Sequence, residues 1–213
     1  MVERMKAETF FTDSDSVKIS QAIERVEKHT AGEIAVMVID QSDDYPAAQL
    51  LAGITIGGIP ALLISDFFGG GSIWVFLTLF LFFGIGFGWL SSYVPFLKRI
   101  FIPQNRLETR VREKALTAFY DKGLYKTRDE TGVLFFISLF ERKVWILADK
   151  GIYAKIDQAT LQEYASDIAL GIKNKNATAA LCREIDNVGR ILADNFPIKA
   201  DDSNELSNEV IAG

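Results

Sequence analysis

From about Ala47 to Leu97 the chain is almost continuously apolar, and only Asp66 and the run Gly69-Gly70-Gly71 interrupt it clearly. An α-helix needs roughly 20 apolar residues to cross a bilayer. The stretch therefore reads as two spans, about Ala47–Ser65 and about Ser72–Leu97, with Asp66 and the glycines in the connecting turn. The second span carries Ile73, Val75, Phe76, Leu77, Leu79, Phe80, Leu81, Phe82, Phe83, Ile85, Phe87 and Leu90. Together these favour insertion by about 4–7 kcal/mol. The first span is weakened by Gly53, Gly57, Gly58 and Pro60, and is expected to insert with the help of the second. Asp66 at the centre of a span would cost about 2.5–3.5 kcal/mol, and in the turn it costs little.

Gly53 and Gly57, like Gly84 and Gly88, are spaced so that helices can approach closely. Either the two helices of one hairpin pack through them, or they support a homo-oligomer. Two spans return the chain to the side it left. Lys98, Arg99, Arg106, Arg110, Arg112 and Lys114 follow the second span, whereas the turn has no Lys or Arg. The excess of basic residues puts both termini in the cytoplasm, which for a bacterial protein means the inner membrane. Residues Met1 to Phe11 lack the apolar core of a signal peptide, so targeting falls to the internal spans.

The remaining composition excludes several classes. A net charge of −5 argues against a nucleic-acid partner. One Cys (Cys182) and one His (His29) rule out an internal disulfide and leave a Cys/His zinc site short of ligands.

The flanks read as one α/β domain split by the hairpin. Thr12-Asp13-Ser14-Asp15 is a helix start, followed by the stripe Ile19, Ala22, Ile23 and Val26. Glu33–Asp40 is a strand apolar on both faces. Tyr45 is placed to anchor at the membrane interface. A helix runs from about Asn105 to Asp121. Val133–Phe140 and Lys143–Ala148, joined by Glu141-Arg142, form an antiparallel pair. Two further helices carry the stripes Leu161, Tyr164, Ala165, Ile168, Ala169 and Ala177, Leu181, Ile185, Val188, Leu192. The expected layout is a split α/β domain over 1–45 and 103–198, a transmembrane hairpin over 46–102, and an acidic disordered tail over 199–213.

The segment Thr131–Ile152, TGVLFFISLFERKVWILADKGI, resembles the TPM-domain family, in the membrane-embedded branch with an inserted two-helix hairpin. Thr30–Asp40 is similar to that family's first strand, Arg112–Leu124 to the helix before its second strand, and Phe196-Pro197 to the ending of its membrane-embedded branch. The resemblance implies an α/β/α sandwich with a small mixed sheet. It also implies a role among three: phosphatase activity, divalent-metal binding, or assembly of membrane complexes. The chain departs from the family pattern at Ala148-Asp149-Lys150-Gly151, where a Gly-rich acidic turn is usual, and at Asn195, where close relatives have His.

The topology brings the end of the third strand to the starts of the first two. Glu33, Asp129, Glu130 and Asp149 would then share one sheet edge and offer hard oxygen ligands to Ca²⁺ or Mg²⁺. Arg128 and Lys150 are the neighbouring candidates for phosphate contact, and Lys98, Arg99, Arg106 and Arg110 for the membrane surface. No phosphatase nucleophile motif is present. The leading expectation is a membrane-anchored interaction and assembly module for a membrane-protein partner, with divalent-cation binding. The alternatives are a metal-assisted phosphatase at the membrane surface and a sensor of anionic lipid.

Overall fold

The computed structural model describes residues 6–127, 129–198 and 207–213, and the backbone alone at Ser92. Its chain divides into two compact units, Met1–Ser42 with Glu108–Gly213, and Asp43–Leu107.

The first unit is built on a four-stranded mixed sheet of β1 (Glu33–Ile39), β2 (Gly132–Ser138), β3 (Lys143–Ala148) and β4 (Ile211–Ala212), in the order β3-β2-β1-β4. β1 pairs parallel with β2 from Glu33↔Gly132 to Ile39↔Ser138. β3 returns antiparallel on β2, and β4 lies parallel to β1. Side chains alternate across a strand, so continuous apolar runs bury both faces. Ile34, Val36, Val38, Val133, Phe135, Ile137, Val144 and Ile146 face one core. Ala35, Ile39, Leu134 and Phe136 face the other.

Helices cover both faces. On the first lie α1 (Asp13–Glu27), α7 (Gln158–Lys173) and α8 (Ala177–Asn195), through Ile19 and Ile23, Leu161 and Ile168, Leu181 and Ile185. On the second lies α5 (Gln104–Asp121), through Val111, Ala115, Ala118 and Phe119. This is the expected α/β/α arrangement with a mixed sheet. α1 begins in a capping box, in which Thr12 Oγ1 accepts from the Asp15 N–H and the Asp15 carboxylate accepts from the Thr12 N–H. α1 and α8 approach closely because residue 189 is glycine: a Cβ there would stand 2.4 Å from Val26 Cγ2.

The expected disordered tail is corrected at its end. Ile211–Ala212 form β4, and the Gly213 N–H donates to the Val38 carbonyl at 3.0 Å. The preceding residues 199–206 lie outside the described residues.

The second unit is a helical hairpin, α2 (Pro46–Gly69) and α3 (Ile73–Tyr93), followed by α4 (Pro95–Ile100). Both long helices are long and apolar enough to cross a membrane. The second expected span runs to Leu97, but the helix stops at Tyr93, because Pro95 disfavours helical backbone at Val94 and opens α4. Asp66 sits exposed near the end of α2, and Gly70 and Gly71 take the left-handed backbone of the turn. A Cβ on Gly53 would lie 2.4 Å from the Gly84 carbonyl oxygen, and one on Gly57 2.7 Å from the Gly84 nitrogen. The small-residue spacing is thus used between the two helices of one chain. The outward surface is large and apolar: Phe67 is 83%, Trp74 76%, and Phe82 and Ile85 each 72% exposed.

Candidate functional site

The sheet places two polar regions at its opposite ends. At one end lie the starts of β1 and β2 and the end of β3. Glu33 is opposite Gly132, and the Asp149 N–H donates to the Gly132 carbonyl at 2.9 Å. The loop into β2 is fixed by its threonines. The Thr131 N–H donates to Thr127 Oγ1 (3.0 Å), Thr127 Oγ1 donates to the Leu124 carbonyl (3.2 Å), and Thr131 Oγ1 donates to the Ala31 carbonyl (2.9 Å). The Glu33 N–H then donates to the Thr131 carbonyl, which sets β1 beside β2. Gly151 lies against this loop. Its N–H donates to the Glu130 carbonyl, and a Cβ on it would stand 2.8 Å from that oxygen.

The backbone at this edge follows the expected topology, and the carboxylates have separate tasks. Asp149 caps the short helix α6 (Lys150–Tyr153): its Oδ1 accepts the Lys150 N–H at 2.8 Å, while Oδ2 is buried without a hydrogen bond. Glu33 is 6% exposed. Asp129 is half-buried, Glu130 is exposed with φ +55, and Lys150 is exposed. Among the described residues no three His, Cys, Asp or Glu side chains come together as a metal would require. Arg128 lies outside the described residues.

A carboxyl that sequence reasoning missed lies beside Glu33. Glu27, the last residue of α1, turns its Oε1 to the Ile34 N–H at 3.0 Å, and its Oε2 is buried without a hydrogen bond. Burial pushes the Glu27 carboxyl up to about 7; the neighbouring Glu33 adds to the rise, and hydrogen bonds from Ile34 and Asn208 oppose it. Nothing in the local pattern marks it, because helix-end acids are commonly solvated.

At the other end, where β1 and β2 finish, Glu141 is wholly buried. Its Oε1 accepts the Ser42 N–H at 2.9 Å and its Oε2 accepts the Ser138 hydroxyl, which lies 3.0 Å from the Ser42 hydroxyl. A buried carboxylate needs such donors. This knot ties the chain leaving β1 to the end of β2 and to the β2–β3 turn. Asp40 adds to it by accepting the Ala7 N–H at 2.6 Å.

The first unit also has a cleft of ≈ 670 Å³ lined by Lys6, Phe10, Lys18, Lys175 and Cys182. Asp15 lies in it and already interacts with Thr178 in the first turn of α8. Burial raises the Cys182 thiol.

The residues expected at the membrane surface divide. Arg106 is exposed, Arg99 is half-buried, and Arg110 pairs with Glu113 at 2.7 Å. Lys98 is corrected: it is 5% exposed, with its ammonium over the Tyr45 ring at 5.7 Å. Tyr45 is likewise 1% exposed, and in left-handed backbone (φ 48) it precedes Pro46 at the start of α2. Its ring is therefore withdrawn from the surface. Pro46 and Pro95 each open a helix, where a missing N–H costs nothing.

The model of the TPM domain matches residues 100–191, which span α5, β2, β3, α6, α7 and most of α8. The fold is also similar to the NMR structure of the BA42 protein from the psychrophilic bacterium Bizionia argentinensis, with a TM-score of 0.58 and 20% identity over 100% of this chain and 99% of that one. At that identity the likeness shows the fold alone. No curated protein is similar enough to be counted as a relative. The segment before the hairpin supplies α1 and β1 to the same sheet and core as the residues that match the TPM domain.

Proposed function

We propose that this protein is a two-pass membrane protein whose TPM domain is an interaction and assembly module held at the cytoplasmic surface of a bacterial inner membrane. The outward apolar surface of α2 and α3 carries this reading. Phe67, Phe68, Trp74, Phe82, Ile85 and Trp89 are each at least two-thirds exposed. Apolar area left in water costs about 25 cal/mol per Å². Acyl chains remove that cost, and the helices satisfy their own backbone groups, as a bilayer demands. The absence of Lys and Arg from the turn, against Lys98, Arg99 and Arg106 after α3, supports cytoplasmic termini. The resident partner is then another membrane protein, recognised by the domain at the membrane surface.

Cysteine labelling tests the topology. In a Cys182→Ala background, Phe68→Cys reports the turn and Lys155→Cys the domain. A membrane-impermeant maleimide applied to intact cells is expected to label only Phe68→Cys, and both after permeabilisation. Labelling of Lys155→Cys in intact cells would reverse the orientation, and recovery of the chain in a carbonate wash would remove the anchor. Co-purification of one stoichiometric membrane protein, lost when the domain is exchanged for an unrelated fold, tests the assembly role.

A further inference from the structure

The cleft of ≈ 670 Å³ lies where three stretches distant in sequence meet: the 3₁₀ turn Ala7–Thr9 with Phe10, the beginning of α1, and the junction of α7 with α8. That junction is tight. A Cβ on Gly171 would stand 2.3 Å from Ala180 Cβ, and the Asn176 N–H donates to the Gly171 carbonyl at 2.8 Å. Phe10, Ile172 and Cys182 supply the apolar lining. All three are half-buried and pack against the first core, so the apolar surface they show to the cleft is fixed from behind. The Phe10 ring also stands edge-on to Phe11, with centroids 4.7 Å apart. Clefts of about 300–1,000 Å³ with an apolar lining and a few polar groups take small molecules.

The charge of the lining gives the class of molecule. Lys6, Lys18 and Lys175 line the cleft against a single acid, Asp15, in a chain whose net charge is −5. Asp15 is already engaged: its Oδ2 accepts the Thr12 hydroxyl at 2.6 Å and the Thr12 N–H at 3.3 Å. Lys18 Nζ stands 3.9 Å from Asp15 Oδ1, at the outer limit of an ion pair. Among the described residues, Lys6 and Lys175 pair with no acid. We propose that this cleft binds a small organic anion, an apolar or aromatic body carrying a carboxylate or phosphate group. The body lies on Phe10, Ile172 and Cys182, and the anionic group faces the three lysines. Exposed ion pairs contribute little one by one, so burial of the body supplies affinity and the lysines select the charge. The site lies wholly in the first unit and does not depend on the orientation of the hairpin.

The chain has one cysteine, and it lines this cleft. Alkylation of Cys182 by iodoacetamide, followed by mass spectrometry on the full chain in phosphatidylcholine nanodiscs, therefore reports occupancy. Mildly alkaline buffer is used because burial raises the thiol. Naphthyl phosphate and naphthoate are expected to slow alkylation saturably, whereas inorganic phosphate and the uncharged naphthol leave it unchanged over the same concentrations. The combined Lys6→Gln, Lys18→Gln and Lys175→Gln variant is expected to bind both anions about tenfold more weakly. Ala179→Trp, at an exposed position in the lining, is expected to remove the effect of the anions with the melting temperature unchanged. Alkylation that neither anion slows overturns the proposal, as does undiminished affinity in the lysine variant. Equal slowing by naphthol removes the selection for charge, and equal slowing by inorganic phosphate removes the role of the body; either result overturns it. Slowing in phosphatidylglycerol nanodiscs without added anion would give the cleft to a lipid headgroup and overturn a soluble occupant.

Discussion

Glu27 carries the clearest single-residue consequence for stability. Its carboxyl is raised to about 7 in the folded chain, so the folded state binds more protons than the unfolded state between the ordinary carboxylate value and about 7. Stability should decline across that window as pH rises. Glu27→Gln should flatten the decline and leave the variant more stable by about 1–3 kcal/mol at alkaline pH, with little difference in acid. Thermal melts of both chains across the range check this. Gly189 makes an opposite prediction, independent of pH. Any side chain there meets Val26, so Gly189→Val should cost about 1–3 kcal/mol by overpacking α1 against α8, read from denaturant midpoints. Neither residue stands out in the sequence. Glu27 is one of several acids on a solvated-looking helix, and its burial depends on β1 and on Asn208, which lies far along the chain. A glycine inside a helical stripe says only that something comes close, not what.

Secondary structure was more legible. The capping box at Thr12, the stripes of α1, α7 and α8 and the apolar runs of β1, β2 and β3 are local signals, and the structure follows them. β4 was not legible: two paired residues after a polar, acidic stretch have no period, and only the edge of β1 makes them a strand. The metal expectation shows a similar limit. Chain order puts the end of β3 at the starts of β1 and β2, where the Asp149 N–H meets the Gly132 carbonyl, but backbone proximity does not aim side chains, and Asp149 turns to cap α6. The hairpin gives a prediction at this level. Gly57→Val places atoms where Gly84 and Phe83 backbone now lies, so α2 and α3 should separate. Disulfide crosslinking between cysteines placed on the two helices should slow in that variant, while Gly86→Val, which meets nothing within 4 Å, should leave it unchanged.

For the molecule as a whole, composition averaged over the chain hides its most decisive property. The 24% of charged residues avoid one contiguous stretch, and that stretch forms a unit of its own. Leu81 lies in α3 and is 61% exposed, so Leu81→Arg should lower membrane insertion by about 2.5–3.5 kcal/mol, measured as the inserted fraction in a translocation assay. The same change should leave the cores of the TPM domain intact, because none of their residues lies in α3. The site of insertion also governs the order in which the fold can be made. β1 pairs along its whole length with β2, yet residues 40–131 stand between them. During synthesis the first strand emerges without its neighbour, and both hairpin helices must follow before the central pair of the sheet can close. Loop-closure entropy and distant pairing slow such a step. The domain is therefore assembled late around an early strand, and that waiting strand is the part of the nascent chain most in need of a chaperone.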